Sequence, residues 1–94
     1  MPSTCGMPAL EKRIVYLLRS EADPDRHYVG LTGNLPERVL RHNRAPSGHT
    51  ASYRPWSVLV SIEFRTERDA RRFEKYLKTG SGRAFAKRHL APTE

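Results

Sequence analysis

Apolar positions along the chain fall into two periods, one suited to strands and one to helices. Ile14, Val15, Tyr16, Leu17 and Leu18 are apolar at consecutive positions and rich in β-branched side chains, which predicts a strand covered on both faces. Ser20 to Arg26 is polar and holds Asp23-Pro24-Asp25, a turn signal. His27 to Leu31 then predicts a second short strand, so the two form a hairpin. Gly30 inside that strand predicts a close backbone approach or a bend, with a gap above it in which a ligand can rest. Asn34, Pro36 and Glu37 mark a helix start, cap and first turn together, and that helix runs to about Asn43. Residues 44–55 carry Pro46, Ser47, Gly48 and Pro55 and predict a long loop, a length that compact domains keep for function or mobility. Trp56, Val58, Val60, Ile62 and Phe64 alternate with more polar neighbours and predict a strand with these five on one face. Thr66 caps a second helix with Ala70, Phe73 and Leu77 on one stripe. Thr79-Gly80-Ser81-Gly82 stops it, read as a glycine C-cap followed by a serine N-cap, and Arg83 to Leu90 predicts a short last helix. The order is β-β-α-β-α-α, the α+β class. Met1 to Leu10, rich in Pro, Ser, Gly and Thr, reads as a flexible arm (residues 1–10) ahead of one domain at residues 11–91.

Charge narrows the field of partners. The 94 residues carry 17 Lys and Arg against 10 Asp and Glu, a formal charge of +7, and most of the positive side chains are arginine. Such an excess self-repels unless a polyanion shares it, and arginine's planar fork suits phosphate. Nucleic acid fits better than an anionic membrane, because no helix has a basic, Trp-rich amphipathic face. The one cysteine, Cys5, excludes a disulfide framework or a cysteine-based zinc site within the chain and fits a reducing cytoplasm. No apolar run is long enough to span a membrane, and the N-terminal residues lack the pattern of a signal peptide.

The residues that break the pattern are the informative ones. Glu74 falls in the inward stripe with Ala70, Phe73 and Leu77, where a carboxylate is costly unless paired or bound to a metal. An ion pair with a nearby arginine, such as Arg38, is the simpler reading; a metal ligand is the other. Arg38 and His42 share a helical face beside Leu35 and Val39, and each alone reads equally as structural. Tyr16 and Tyr28 lie on adjacent strands of the hairpin and each alone reads as a core ring with its hydroxyl at the surface. Together they are the parts that phosphodiester hydrolysis needs: a carboxylate for a cation, a guanidinium for transition-state charge, and a phenol or imidazole for the proton of the attacking water. With one carboxylate in an inward stripe, one metal is expected rather than two.

These residues resemble the GIY-YIG nuclease family over about residues 12–90. The first motif stands as Ile14-Val15-Tyr16 and the second as Tyr28-Val29-Gly30, with eleven residues between the tyrosines. Arg38 and His42 follow Gly30 by eight and twelve positions, as the family's helical Arg and His do, and Glu74 matches its metal-binding glutamate. The stretch from Tyr76 to Phe85 is similar to the small stand-alone bacterial members. Ile14 replaces the first glycine of the family name, and Ala84 to His89 offers no asparagine of the kind some DNA-repair members carry on the last helix.

The resemblance implies a small three-stranded antiparallel or mixed sheet flanked by helices and metal-dependent endonuclease cleavage of DNA, with roles in repair or recombination. Tyr16 is then the general base or water-positioning group, and Tyr28 orients the phosphate or assists. Arg38 stabilises the phosphorane-like state, Glu74 holds one Mg²⁺ or Mn²⁺, and His42 is a second base candidate or a hydrogen-bond partner of the phosphate. Gly30, Arg41, Arg44, His49, Arg54, Lys78 and Arg83 are expected to contact DNA, with Arg71, Arg72, Lys75, Lys87 and Arg88 adding basic surface and Tyr53 joining His49 as a stacking candidate. Low sequence specificity follows from reliance on basic side chains and loops. A monomer is favoured slightly, and single-stranded, duplex and branched DNA are not distinguished. Two other readings stand beside the enzyme: a non-catalytic nucleic-acid-binding module on the same scaffold, and an adaptor for an acidic protein partner.

Overall fold

The computed structural model describes residues 12–44, 48 and 51–90; the predicted N-terminal arm and His49 lie outside the described residues. Strand β1 (Arg13–Ser20) is the centre of a three-stranded antiparallel sheet of order β2-β1-β3, with β2 at His27–Thr32 and β3 at Trp56–Phe64. The consecutive apolar run of β1 follows from this position. With a neighbour on each side and helices on both faces, Val15, Tyr16, Leu17 and Leu18 are all buried. Helix α1 (Leu35–Arg44) covers one face over Tyr16, Leu18 and Trp56. Helices α2 (Glu67–Leu77) and α3 (Gly80–Phe85) cover the other, over Val15. A turn of π-helix at Ala86–Leu90 completes the predicted last helix in a second piece.

The predicted single face of β3 is corrected by a bulge. Leu17 of β1 pairs with Val60 while Leu18 pairs with Val58, so Leu59 is an extra residue that the ladder skips. A one-residue slip inverts the alternation. Phe64 therefore packs on the α2 side with Phe73, Trp56 packs on the α1 side with Tyr16 and Leu18, and Val58 is left exposed.

Local chemistry sets the element ends. The Glu37 N–H donates to Asn34 Oδ1 (3.2 Å) and the Asp69 N–H to Thr66 Oγ1 (3.3 Å), the two predicted N-caps. Ser20 Oγ accepts from the N–H groups of Ala22 (3.1 Å) and Asp23 (2.9 Å) and donates to the Tyr53 carbonyl, which closes the hairpin and ties down the 51–53 turn. The α2–α3 corner differs from its prediction. Thr79, not Ser81, is the N-cap of α3, accepting from the Gly82 N–H at 3.0 Å. Gly82 is required because a Cβ there would run into the Tyr76 carbonyl. Among the described residues, no helix is long and apolar enough to cross a membrane.

Candidate active site

The site begins at the hairpin register. Tyr16 pairs with Gly30, and its phenol ring lies across that glycine: a Cβ added to Gly30 would overlap the ring's hydroxyl and Cζ. This corrects the expectation of a ligand gap above Gly30, since the space is taken by the Tyr16 ring. The role of the glycine is to let the ring lie flat towards the open edge of β2.

Helix α1 brings the imidazole. The Tyr16 hydroxyl and His42 Nε2 are 3.1 Å apart, and the rings of Tyr16, Tyr28 and His42 form a cluster whose closest pair, Tyr28 and His42, has centroids 4.6 Å apart in an edge-on arrangement. Tyr28 also meets Trp56 edge-on. The far end of α1 is fixed by a double hydrogen bond: the Trp56 N–H donates to Asn43 Oδ1 (2.6 Å) and Asn43 Nδ2 donates to the Trp56 carbonyl (3.2 Å). Asn43 escapes a reading by pattern, since an asparagine near a helix end looks like an ordinary stop.

Arg38 and Glu74 complete the group. Burial pushes the Tyr16 phenol above its ordinary pKa, and the neighbouring Tyr28 adds to the rise. A hydrogen bond from Arg38 and its positive charge oppose it, and the charge of Glu74 raises it further. Two helices from opposite faces of the sheet thus act on one phenol. Burial also lowers His42, helped by the charges of Arg38 and Arg41. At neutral pH the pair is therefore phenol and neutral imidazole. With the imidazole neutral and its proton on Nδ1, His42 Nε2 accepts from the Tyr16 O–H across the 3.1 Å contact.

Glu74 does not pair with Arg38, contrary to the simpler sequence reading. Its Oε2 accepts from Lys78 Nζ at 3.0 Å, one turn along α2. The Glu74 side chain is 19% exposed. Its hard oxygens suit Mg²⁺ or Mn²⁺. Among the described residues no group of three or more His, Cys, Asp or Glu gathers, and Glu74 is the carboxylate that would hold a cation beside Tyr16. That donor set fits a single divalent cation and not a closed protein cage.

The expected DNA-contacting residues divide between the faces. Arg41 and Arg44 are exposed on α1, with Arg41 3.9 Å from Glu37, and Arg54 is exposed just before β3. Lys78 and Arg83 lie on the α2–α3 side, where both line a groove. Gly30 is buried beneath Tyr16. Tyr53, read as a stacking candidate, is half-buried against Trp56 with the Arg26 guanidinium 4.7 Å above its ring, so its face is already used.

The sequence pattern of the GIY-YIG catalytic domain matches residues 12–88, which take in every strand and α-helix of the described residues, and the chain belongs to the GIY-YIG family. A more particular likeness is to the structure-specific endonuclease subunit SLX1 of Scheffersomyces stipitis, 36% identical over 67 residues. The match covers 64% of this chain and 20% of that relative, so the chain corresponds to a small part of the relative's length.

Proposed function

We propose that the protein is a DNA endonuclease that hydrolyses phosphodiester bonds with one divalent cation on Glu74 and selects DNA by its structure more than by its sequence. The observation that carries this is the Tyr16 hydroxyl set 3.1 Å from His42 Nε2, at a phenol whose acidity also answers to Arg38 and Glu74. The cation, when bound, polarises the phosphate and neutralises the leaving oxygen.

The chain's own residues supply the rest. The attacking water gives its proton to the Tyr16 oxygen while the phenol's proton passes to His42 Nε2. The two candidate bases are thereby one relay: a phenol with a raised pKa is a poor base alone, and a neutral imidazole behind it takes the proton. Arg38 supports the charge that builds on the phosphate oxygens as the bond to water forms. Tyr28 meets the imidazole edge-on and packs it against the site. Selection by structure is favoured by the SLX1 relative, named a structure-specific endonuclease subunit, and by basic side chains distributed over both faces of the sheet.

The test is cleavage of labelled single-stranded, duplex and branched DNA with Mg²⁺ or Mn²⁺, comparing wild type with Glu74→Ala. Cutting of branched DNA that Glu74→Ala loses supports the assignment. If no substrate is cut, or Glu74→Ala cuts as well as wild type, the reading fails and a non-catalytic binding module takes its place.

A further inference from the structure

Beside the site, along the open edge of β2, runs a groove of about 1010 Å³ between the hairpin and the α2–α3 corner. Its floor is apolar: Leu17 and Val29 of the sheet, Leu77 of α2 and Ala86 beyond α3. Its rim is cationic, with Arg26, Lys78, Arg83 and Lys87 against one carboxylate, Asp25. Tyr28 and Lys78 line it too, and Tyr28 touches His42 while Lys78 holds Glu74, so the groove opens directly from the catalytic group.

The cations differ in what already engages them. Arg26 lies 3.7 Å from Asp23 and over the Tyr53 ring, and Lys78 is committed to Glu74. Arg83 and Lys87 make no ion pair among the described residues, both are exposed, and they stand four residues apart on one wall. An apolar floor beneath unpaired cations calls for a ligand with a flat apolar part and an anionic part. An unpaired nucleotide has both. A duplex keeps its bases stacked inward and offers such a floor nothing.

We propose that this groove binds the unpaired strand of a DNA that passes from duplex to single strand at the scissile phosphate, with a base against Val29 and Ala86, above the buried Leu17 and Leu77, and its phosphates on Arg83 and Lys87. The proposal rests on the nuclease reading for its substrate class. It explains how a small domain distinguishes DNA structures, because the groove is filled only where a strand leaves the duplex next to the Tyr28–Lys78 opening.

The experiment measures binding of the full chain in EDTA, without cleavage, to blunt duplex, to duplexes with a 5′ or 3′ overhang, and to the same overhangs with an abasic first unpaired position. Wild type is expected to bind at least one overhang about tenfold tighter than the blunt duplex, and the abasic position to remove most of that gain, since a stacked base carries it. Arg83→Ala with Lys87→Ala should bring the ratio of overhang to blunt affinity near unity and flatten the salt dependence on overhangs by about 1.4 in log–log slope. Arg83→Lys with Lys87→Arg should keep the ratio. The proposal is overturned if wild type binds all duplexes alike, if the abasic overhang binds as tightly as the intact one, or if the double alanine variant weakens every substrate in proportion. The nuclease reading falls separately, through a wild type that cuts nothing with Mg²⁺ or Mn²⁺.

Discussion

At Tyr16, ring position and proton chemistry depend on different neighbours. The ring is placed by Gly30 beneath it, while the hydroxyl answers to His42 and Arg38. Gly30→Ala is expected to displace the ring and destabilise the fold by about 1–3 kcal/mol, the usual cost of overpacking, with activity falling alongside; urea melts and cleavage assays of the same variant check both. Tyr16→Phe keeps the packing and loses the relay. Cleavage should fall by about 10²- to 10⁴-fold while stability changes by about 1 kcal/mol. A variant that cuts at the wild-type rate would remove Tyr16 from the chemistry. The lowered pKa of His42 sets the acid behaviour. A group depressed in the folded state favours folding above its unfolded pKa of 6.5, and that contribution falls away as the pH drops below 6.5 towards the folded value. Activity should fall along an acid limb below pH 6.5, where His42 becomes protonated and no longer accepts from Tyr16, and that limb should be absent from the residual rate of His42→Ala. Tyr16 has the opposite sign: the folded state favours its neutral phenol, so its contribution holds below pH 10.0 and is lost as the pH rises beyond it.

Between elements, two small devices hold the site's geometry. Asn43 clamps both backbone groups of Trp56, and Trp56 is only 5% exposed. Asn43→Ala removes both hydrogen bonds to the Trp56 backbone, so it should cost about 1–3 kcal/mol, read by thermal or urea unfolding; a smaller loss with Asn43→Asp, which keeps the acceptor for the Trp56 N–H, would identify the 2.6 Å bond as the stronger half. The α2–α3 corner is the second device. Gly82 lets α3 cross the Tyr76 carbonyl and Thr79 caps it. Thr79→Ala should cost about 1 kcal/mol as a lost cap, and Ser81→Ala little, which is the outcome that separates the cap seen in the fold from the one suggested by the run Gly80-Ser81-Gly82. Among the described residues the order of three strands and three α-helices was legible from local periodicity and capping: Asn34 and Thr66 cap where expected and the 56–64 alternation spans β3, although α3 begins at Gly80 and not at Arg83. The bulge at Leu59 was not legible. An alternating run reads as one uniform face, and only the pairing with β1 shows that the ladder skips a residue.

Across the whole molecule, the charge of +7 is spread over two faces, with Arg41, Arg44 and Arg54 on the side of α1 and Lys78, Arg83 and Lys87 around the groove. DNA affinity should therefore fall steeply with salt, and a flat response would point to an acidic protein partner in place of nucleic acid. The candidate site was legible as an ordered set of residues: Tyr16, Tyr28, Arg38, His42 and Glu74 break the apolar pattern within the stretch that matches the GIY-YIG domain. Their connections were not. The pairing of Glu74 with Lys78, the hydrogen bond between Tyr16 and His42, and the groove shared by Lys78 and Arg83 depend on which helix covers which face of the sheet. By itself the chain determined its element order, its caps and the chemical types available for phosphate chemistry, because these follow from near-neighbour sterics and composition. Only the tertiary structure decided that Tyr16 lies on Gly30, that Asn43 holds Trp56 and that an apolar floor opens beside the phenols. Those contacts join residues far apart in sequence, and their geometry is set by strand register and helix docking.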